Sequence, residues 1–418
     1  MFRKIIAIMV SLMIFFCFGV FSVVDAAGSA SANTAVKTDQ AADSSPYDPL
    51  AVANIMGKTD ILKLKAKSSI LIDADTGTVL LESNSHEKLP IASVTKIMSM
   101  ILIMEEIDSG KLSFDDKVTI SEHSYNMGGS QVYLEPGEVF SVADLLKAVA
   151  IHSANDATVA LAEKVSGSED YFVTQMNEKT KALGMNDTNF LDCTGLTDEG
   201  HYSSAYDVAL MSRELITKHP RITDFTSTWH DTFRQGTFSL DNTNKLVRYY
   251  QGTTGLKTGF TTKAGFCLSV SAKKGDMNLI AVVLGEPDSN TRFAEARKLL
   301  DYGFANFESV VLDTKGSIIK DIQVKKGVEN TVKALLSADV TLLVKKGSAS
   351  KITKDLSLND VAEAPINAGQ KLGEAVYSLD GKELCRIPLI AANQVKKASF
   401  INLFFKMVLG WLGIGRDN

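Results

Sequence analysis

Hydrophobic positions change period several times along the chain. In SSILIDADTGTVLLESN, residues 68–84, two β-like runs flank Asp75-Thr76-Gly77 and predict a hairpin. The stretch KLPIASVTKIMSMILIMEE, residues 88–106, then reads as a helix opening at Ser93, with Pro90 near its start, where proline is tolerated. It carries no charge between Ile97 and Met104, so it is apolar almost all round and should be buried. From about residue 140 to 216 the pattern stays helical, in SVADLLKAVAIHSANDATVALAEKV, YFVTQMNEKTKALGM and SSAYDVALMSRELI. TGLKTGFTTKAGFCLSVSAKKGDMNLIAVVLGEP is β-rich, and the helix NTRFAEARKLLDYGFANF closes this part near residue 308. Helices on a sheet with a helical insert predict an α+β catalytic domain over 67–308. Residues 310–392 alternate or cluster β-branched residues between Gly and Asp turns, with Asp380-Gly381 a strong hairpin signal, and predict a small all-β domain.

Both ends carry apolar segments of a different kind. Arg3 and Lys4 precede an apolar run from Ile5 to Val24, and Val24-Asp25-Ala26 resembles a small-residue cleavage site. Residues 1–26 therefore read as a secretory signal peptide, with a retained N-terminal anchor as the alternative. Residues 27–66, rich in Ala, Ser, Thr, Asp and Lys without a sustained period, read as a flexible linker, with a short helix near 50–57. In the last segment Ser399, Asn402, Lys406, Gly410 and Gly413 share one helical face. Phe400–Ile414 would span about 22 Å, short of a hydrocarbon core of about 30 Å. An amphipathic helix over 396–415 lying in the membrane interface fits, with Lys396 and Lys397 reaching headgroups. The alternative is a core helix docked on the β domain.

Composition narrows the class. At 418 residues and 45% hydrophobic the chain can build two or three domains. Its formal charge is −5, or −6 once cleavage after Ala26 removes Arg3, Lys4 and Asp25. That balance, with no basic patch, argues against nucleic acid as a partner. Three cysteines remain after the signal, Cys193, Cys267 and Cys385, too far apart for a disulfide framework, and they read as buried free thiols. There is no HExxH and no His/Cys cluster, so neither a metal nor an organic cofactor is expected.

One feature of the buried helix calls for a chemical explanation. Lys96 lies one turn after Ser93, on the same face. A buried lysine either snorkels to the surface or loses its charge, because burial of an unpaired ammonium costs several kcal/mol. Ser-x-x-Lys alone carries no weight, since Ser271/Lys274, Ser317/Lys320 and Ser348/Lys351 match it too, as Ser31/Asn33 and Ser357/Asn359 match Ser-x-Asn. Order and context distinguish Ser93/Lys96: Ser153-Ala154-Asn155 follows 60 residues on between two helical patterns, and Lys257-Thr258-Gly259 a further 104 residues on, in a strand-like run.

That ordered triple resembles the serine penicillin-recognising enzymes. LPIASVTKIM, HSANDATVALAE, MNEKTKALGM, GLTDEGHYSSAYDVALM and GLKTGFTTKAG are closer still to the low-molecular-mass D-alanyl-D-alanine carboxypeptidases. The resemblance covers about residues 66–392. It implies a β-lactamase/DD-peptidase-like domain, an antiparallel sheet flanked by helices with a helical subdomain. It also implies an exported enzyme at the outer face of the cytoplasmic membrane that trims peptidoglycan stem peptides and is inhibited by β-lactam antibiotics. A DD-endopeptidase or transpeptidase, or a non-catalytic penicillin-binding scaffold, are the rival readings.

Neutral Lys96 would take the Ser93 proton, its pKa lowered by burial and by Lys257 as the nearby cation. Ser93 at the helix start would place a developing oxyanion near free N–H groups. By resemblance, the backbone N–H groups of Ser93 and Phe260 form the oxyanion hole, and Gly259 lets substrate lie along its strand. Likewise Ser153 relays a proton, Asn155 holds a substrate amide, and Lys257, Thr258 and Arg292 bind the terminal carboxylate. Phe260 stands where some relatives have histidine. No Glu-x-x-Leu-Asn follows Ser153, so penicillin should acylate Ser93 and leave slowly.

Overall fold

The computed structural model describes residues 61–400 apart from Asp198. The expected signal peptide, the linker up to residue 60 and the terminal helix from residue 401 lie outside them. Leu62, Leu64 and Ala66 already pack against the core, so ordered chain begins before the first strand.

Five strands build the catalytic sheet: β1 (Ser68–Asp73), β2 (Val79–Ser83), β3 (Thr253–Thr261), β4 (Gly265–Lys274) and β5 (Met277–Glu286), in the order β2-β1-β5-β4-β3. All neighbours run antiparallel, and β3 is an edge strand. The first hairpin turns as expected: Gly77 adopts φ +76°, and the Asp73 carboxylate accepts from Thr76 N and Thr76 Oγ1.

Alternation along the strands divides two cores. Ile70, Ile72, Ile280 and Val282 face the helical lobe. Leu71, Leu279, Ala281 and Val283 face Leu299 and Leu300 of a closing helix. Among the described residues, the helices longer than ten residues are α1 (Lys96–Asp108), α2 (Asn155–Ser166), α3 (Glu169–Ala182), α4 (Ala205–Lys218) and the closing α5 (Ser289–Asn306). Side chains cap three of them: Ser168 accepts from Tyr171 N, Ser204 from Asp207 N, and Asp288 from Asn290 N and Thr291 N. Helix α1 buries almost every residue, as its apolar pattern requires.

The chain differs from the sequence expectation at two places that matter. Ser93 does not open α1; it lies in a 3-10 turn, Ala92–Thr95, entered through Ala92 at φ +48°. The helical pattern over 141–165 breaks at Ser153: a π-turn, Ala148–His152, ends there with Ser153 at φ +67° before α2 begins. Such non-glycine positive φ values store strain and gather at functional sites.

Strands from Phe307 to Ala391 build a second, β-rich part of the chain. Six strands order as Ile352–Leu358, Lys371–Leu379, Lys382–Ala391, Thr331–Leu336, Ile318–Lys325 and Val361–Glu363, and Phe307–Asp313 pairs with Val340–Lys345. Asp380 (φ +50°) and Gly381 (φ +78°) make the expected tight turn, both with the positive φ that such hairpins need. Cys193, Cys267 and Cys385 are buried free thiols, as the spacing implied.

Candidate active site

The Ser93 turn lies against edge strand β3, and Thr243 ties that strand to the Ser153 segment. Ser93 is half-buried, while Lys96 is wholly buried. Lys96 Nζ donates to Ser93 Oγ at 3.0 Å and to Thr194 O at 2.8 Å. The competing Ser-x-x-Lys pairs do not behave this way: Lys320, for example, pairs with Asp360 at 2.5 Å. Burial pushes the Lys96 amine down to about 8, against the carboxylates of Asp192 and Asp156, which act to raise it. Lys257 is itself driven well below the ordinary lysine value, by burial first and then by Lys96 and Arg292, so the two amines disfavour each other's charge. Both amines are wholly buried; Lys96 has carboxylates nearby, and Lys257 Nζ donates to the Thr258 carbonyl at 3.1 Å.

Opposite Ser93, Ser153 is buried and its Oγ has no protein partner. Asn155 N donates to Ser130 O at 2.7 Å and Asn155 Nδ2 to Gly128 O at 2.6 Å, while Oδ1 is left unpartnered. Both atoms are free to hydrogen-bond a molecule that enters beside Ser93.

On the third side, β3 presses against the Ser93 turn. A Cβ on Gly259 would lie 2.5 Å from Ile91 O and 3.1 Å from both Ser93 N and Val94 N, so only glycine fits there. Thr258 Oγ1 donates to Thr243 Oγ1 at 2.8 Å, and Thr243 N donates to Ile151 O, tying β3 to the Ser153 segment. The Phe260 ring is 54% exposed at the groove rim and packs on Phe266 with centroids 4.3 Å apart. Arg292 is buried, and its Nη1 donates to Gly259 O at 3.1 Å and Cys267 O at 3.2 Å. Its guanidinium thus braces β3 against β4 beside the groove.

Sequence reasoning missed the loop 191–197. Its Thr194 carbonyl, a backbone group with no residue-type signature, is the second acceptor of Lys96. Gly195 sits at φ +82°, where a Cβ would lie 1.9 Å from Ala92 O. His201 Nε2 is 2.8 Å from Thr95 Oγ1, and its Nδ1 accepts from Leu191 N at 3.2 Å. The signal available was Asp192-x-Thr-Gly, whose aspartate is suited to gathering backbone N–H groups in a turn.

Away from the groove, Glu105, Glu214 and His219 bring three possible ligand atoms within 4.8 Å of one another. Lys179 Nζ already closes the two carboxylates, at 2.6 Å and 2.8 Å.

Comparison with known proteins agrees with this arrangement. Residues 55–288 match the model of a family described as D-alanyl-D-alanine carboxypeptidase, and residues 307–397 match that of the penicillin-binding protein 5 C-terminal domain. The chain is 46% identical over 369 residues to D-alanyl-D-alanine carboxypeptidase DacF of Bacillus subtilis, covering 87% of this chain and 94% of that protein. It is 34% identical over 358 residues to DacA of Haemophilus influenzae, covering 84% of this chain and 89% of that protein. Among solved structures, penicillin-binding protein 5 from Haemophilus influenzae superposes with a TM-score of 0.74 at 34% identity, over 82% of this chain and all of that one.

Proposed function

The chain belongs to the D-alanyl-D-alanine carboxypeptidase family and is a serine hydrolase of peptidoglycan stem peptides, and from that premise we propose how its residues divide the work. Ser93 Oγ attacks the carbonyl carbon of the penultimate D-alanine while Lys96 Nζ takes its proton. The observation that carries this reading is the 3.0 Å contact between those atoms, made by an amine that burial disposes to be neutral. Backbone N–H groups of Ser93 and Phe260 hold the oxyanion. Substrate lies antiparallel along edge strand β3, where Gly259 leaves room for it. Ser153 Oγ passes a proton to the departing D-alanine amine, and water then hydrolyses the ester on Ser93. Asn155 meets a backbone amide of the stem. Lys257, Thr258 and the charge of Arg292 receive the terminal carboxylate. Penicillin enters the same groove and acylates Ser93.

The purified protein should release free D-alanine from a pentapeptide stem and leave a cross-linked dimer largely intact, measured by chromatography of the products. Cleavage of the dimer in preference to the pentapeptide would make it an endopeptidase on this scaffold. Penicillin labelling without any hydrolysis would favour the scaffold reading.

The proposed organisation is an exported chain whose signal spans 1–26, with the catalytic domain over 67–308, the β domain over 310–392 and attachment to the outer face of the cytoplasmic membrane through 396–415. Among the described residues no helix is long and apolar enough to cross a membrane. The charge and spacing of KKASFINLFFKMVLGWLG support interfacial binding. A chain ending at Ala398 keeps the Ala398 N to Lys326 O bond that closes the β domain. It should remain in the supernatant when anionic vesicles are sedimented, whereas the longer chain pellets with them; equal partitioning would exclude the terminal anchor.

A further inference from the structure

Beneath the nucleophile turn a single carboxylate holds five donors. Asp192 Oδ1 accepts from Thr194 N (2.7 Å), Thr194 Oγ1 (2.8 Å), Gly195 N (2.5 Å) and Leu196 N (3.3 Å), and Oδ2 accepts from Thr197 N (2.8 Å). The loop it gathers touches the Ser93 turn and helix α1 at three points. Thr194 O accepts from Lys96, Cys193 O accepts from Ser99 Oγ at 2.6 Å, and Gly195 abuts Ala92.

We propose that Asp192 is a positioning residue for the Ser93–Lys96 pair: its carboxylate folds the loop that presents the Thr194 carbonyl to Lys96 Nζ, and its negative charge acts on that amine. The inference rests on the reading of Lys96 as the base. Of the groups facing the amine, Ser93 is neutral and Cys193 is a thiol at neutral pH, because burial raises its pKa well above the ordinary value. Lys257 on β3 is a second buried amine, itself displaced towards the neutral form. Asp156 on α2 turns its carboxylate to Val132 N, Leu134 N and Ala157 N. Asp192 and Asp156 both act as anions on Lys96, and it is Asp192 that also folds the loop carrying the Thr194 carbonyl. Burial would raise its own pKa, but the Thr197 hydrogen bonds, the nearby His201 and the Thr194 bonds hold it well below the usual carboxylate range. Its charge is therefore present throughout the working pH range. Burial drives the amine towards neutrality and Asp192 limits how far, while the loop keeps the amine aimed at Ser93 Oγ.

The test is the pH dependence of the second-order rate of acylation by a fluorescent penicillin, for wild type, Asp192→Asn and Asp192→Glu, each checked for folding by circular dichroism. Asparagine keeps an acceptor for the Oδ1 donors and removes the charge. Its acid limb should move about one pH unit lower, and loosening at Thr197 should drop the plateau about tenfold. Glutamate keeps the charge and misplaces it, so its plateau should fall while its limb stays near that of wild type. An acid limb in Asp192→Asn that coincides with wild type, or lies above it, overturns the proposal. Failure of the underlying reading looks different: wild type itself would then form no adduct at Ser93.

Discussion

Ser93→Ala should form no covalent adduct with a fluorescent penicillin and should release no D-alanine from a pentapeptide, a loss of about 10⁴-fold or more. The expectation follows from how the groove is built. Gly259 brings the edge of β3 against Ser93 N, so a substrate strand on that edge meets this hydroxyl first. The loss would not arise from unfolding. Ser93 is half-buried, its hydroxyl contacts Lys96, and Lys96 keeps Thr194 O as an acceptor when that hydroxyl is gone. The change in stability should stay within about 1 kcal/mol. Ser153 is the hydroxyl to watch, since its Oγ is buried and unpartnered. An adduct that survives in Ser93→Ala, located by mass spectrometry, would move the nucleophile there.

Lys96→Met should separate activity from stability. Acylation should fall about 10³-fold, the range expected when a positioned base is removed. Part of the effect can be stated from protonation alone. At pH 7 a lysine with an ordinary pKa is neutral about once in three thousand molecules, and one near 8 about once in eleven, a gain of about 300-fold in competent base. Stability should move the other way. The folded chain disfavours the protonated amine, so between about pH 8 and the unfolded value the unfolded chain binds the extra proton, and stability rises with pH across that window. Below it the full burden remains, roughly 3 kcal/mol. Methionine fills similar space without a charge and leaves the Thr194 carbonyl one donor short, which costs about 1 kcal/mol. The variant should therefore gain about 2 kcal/mol in denaturant unfolding at pH 7. A variant that is both inactive and less stable would mean Lys96 is a structural cation rather than a poised base.

Patterning was most legible where it was strongest. The unbroken apolar face of residues 97–104 announced a buried helix, and Asp75-Thr76-Gly77 and Asp380-Gly381 announced their turns, because in each case the residue types themselves carry the physics. The ordered Ser93/Lys96, Ser153/Asn155 and Lys257-Thr258-Gly259 groups pointed to three walls that the fold brings into one groove. What escaped was backbone geometry imposed by tertiary packing. Nothing in the composition of IASVTK marks Ala92 for a positive φ or Ser93 for a 3-10 turn, and nothing in AIHSAND marks a π-turn before Ser153. The Thr194 carbonyl was invisible because every residue has one. Arg292 was read for its charge, and the part its Nη1 plays in bracing Gly259 O and Cys267 O is one that side-chain type alone does not reveal. Lys257 was expected beside Lys96, and the structure adds the two carboxylates, Asp192 and Asp156, that act on Lys96 in the opposite sense.

The account turns on the charge state of one buried amine, and titration of the Lys96 side chain by isotope-edited NMR reads it directly, with Lys96→Met identifying the resonance. The expected titration midpoint is about 8. A midpoint at the ordinary lysine value, near 10.5, would leave Ser93 without a base at neutral pH and contradict the mechanism.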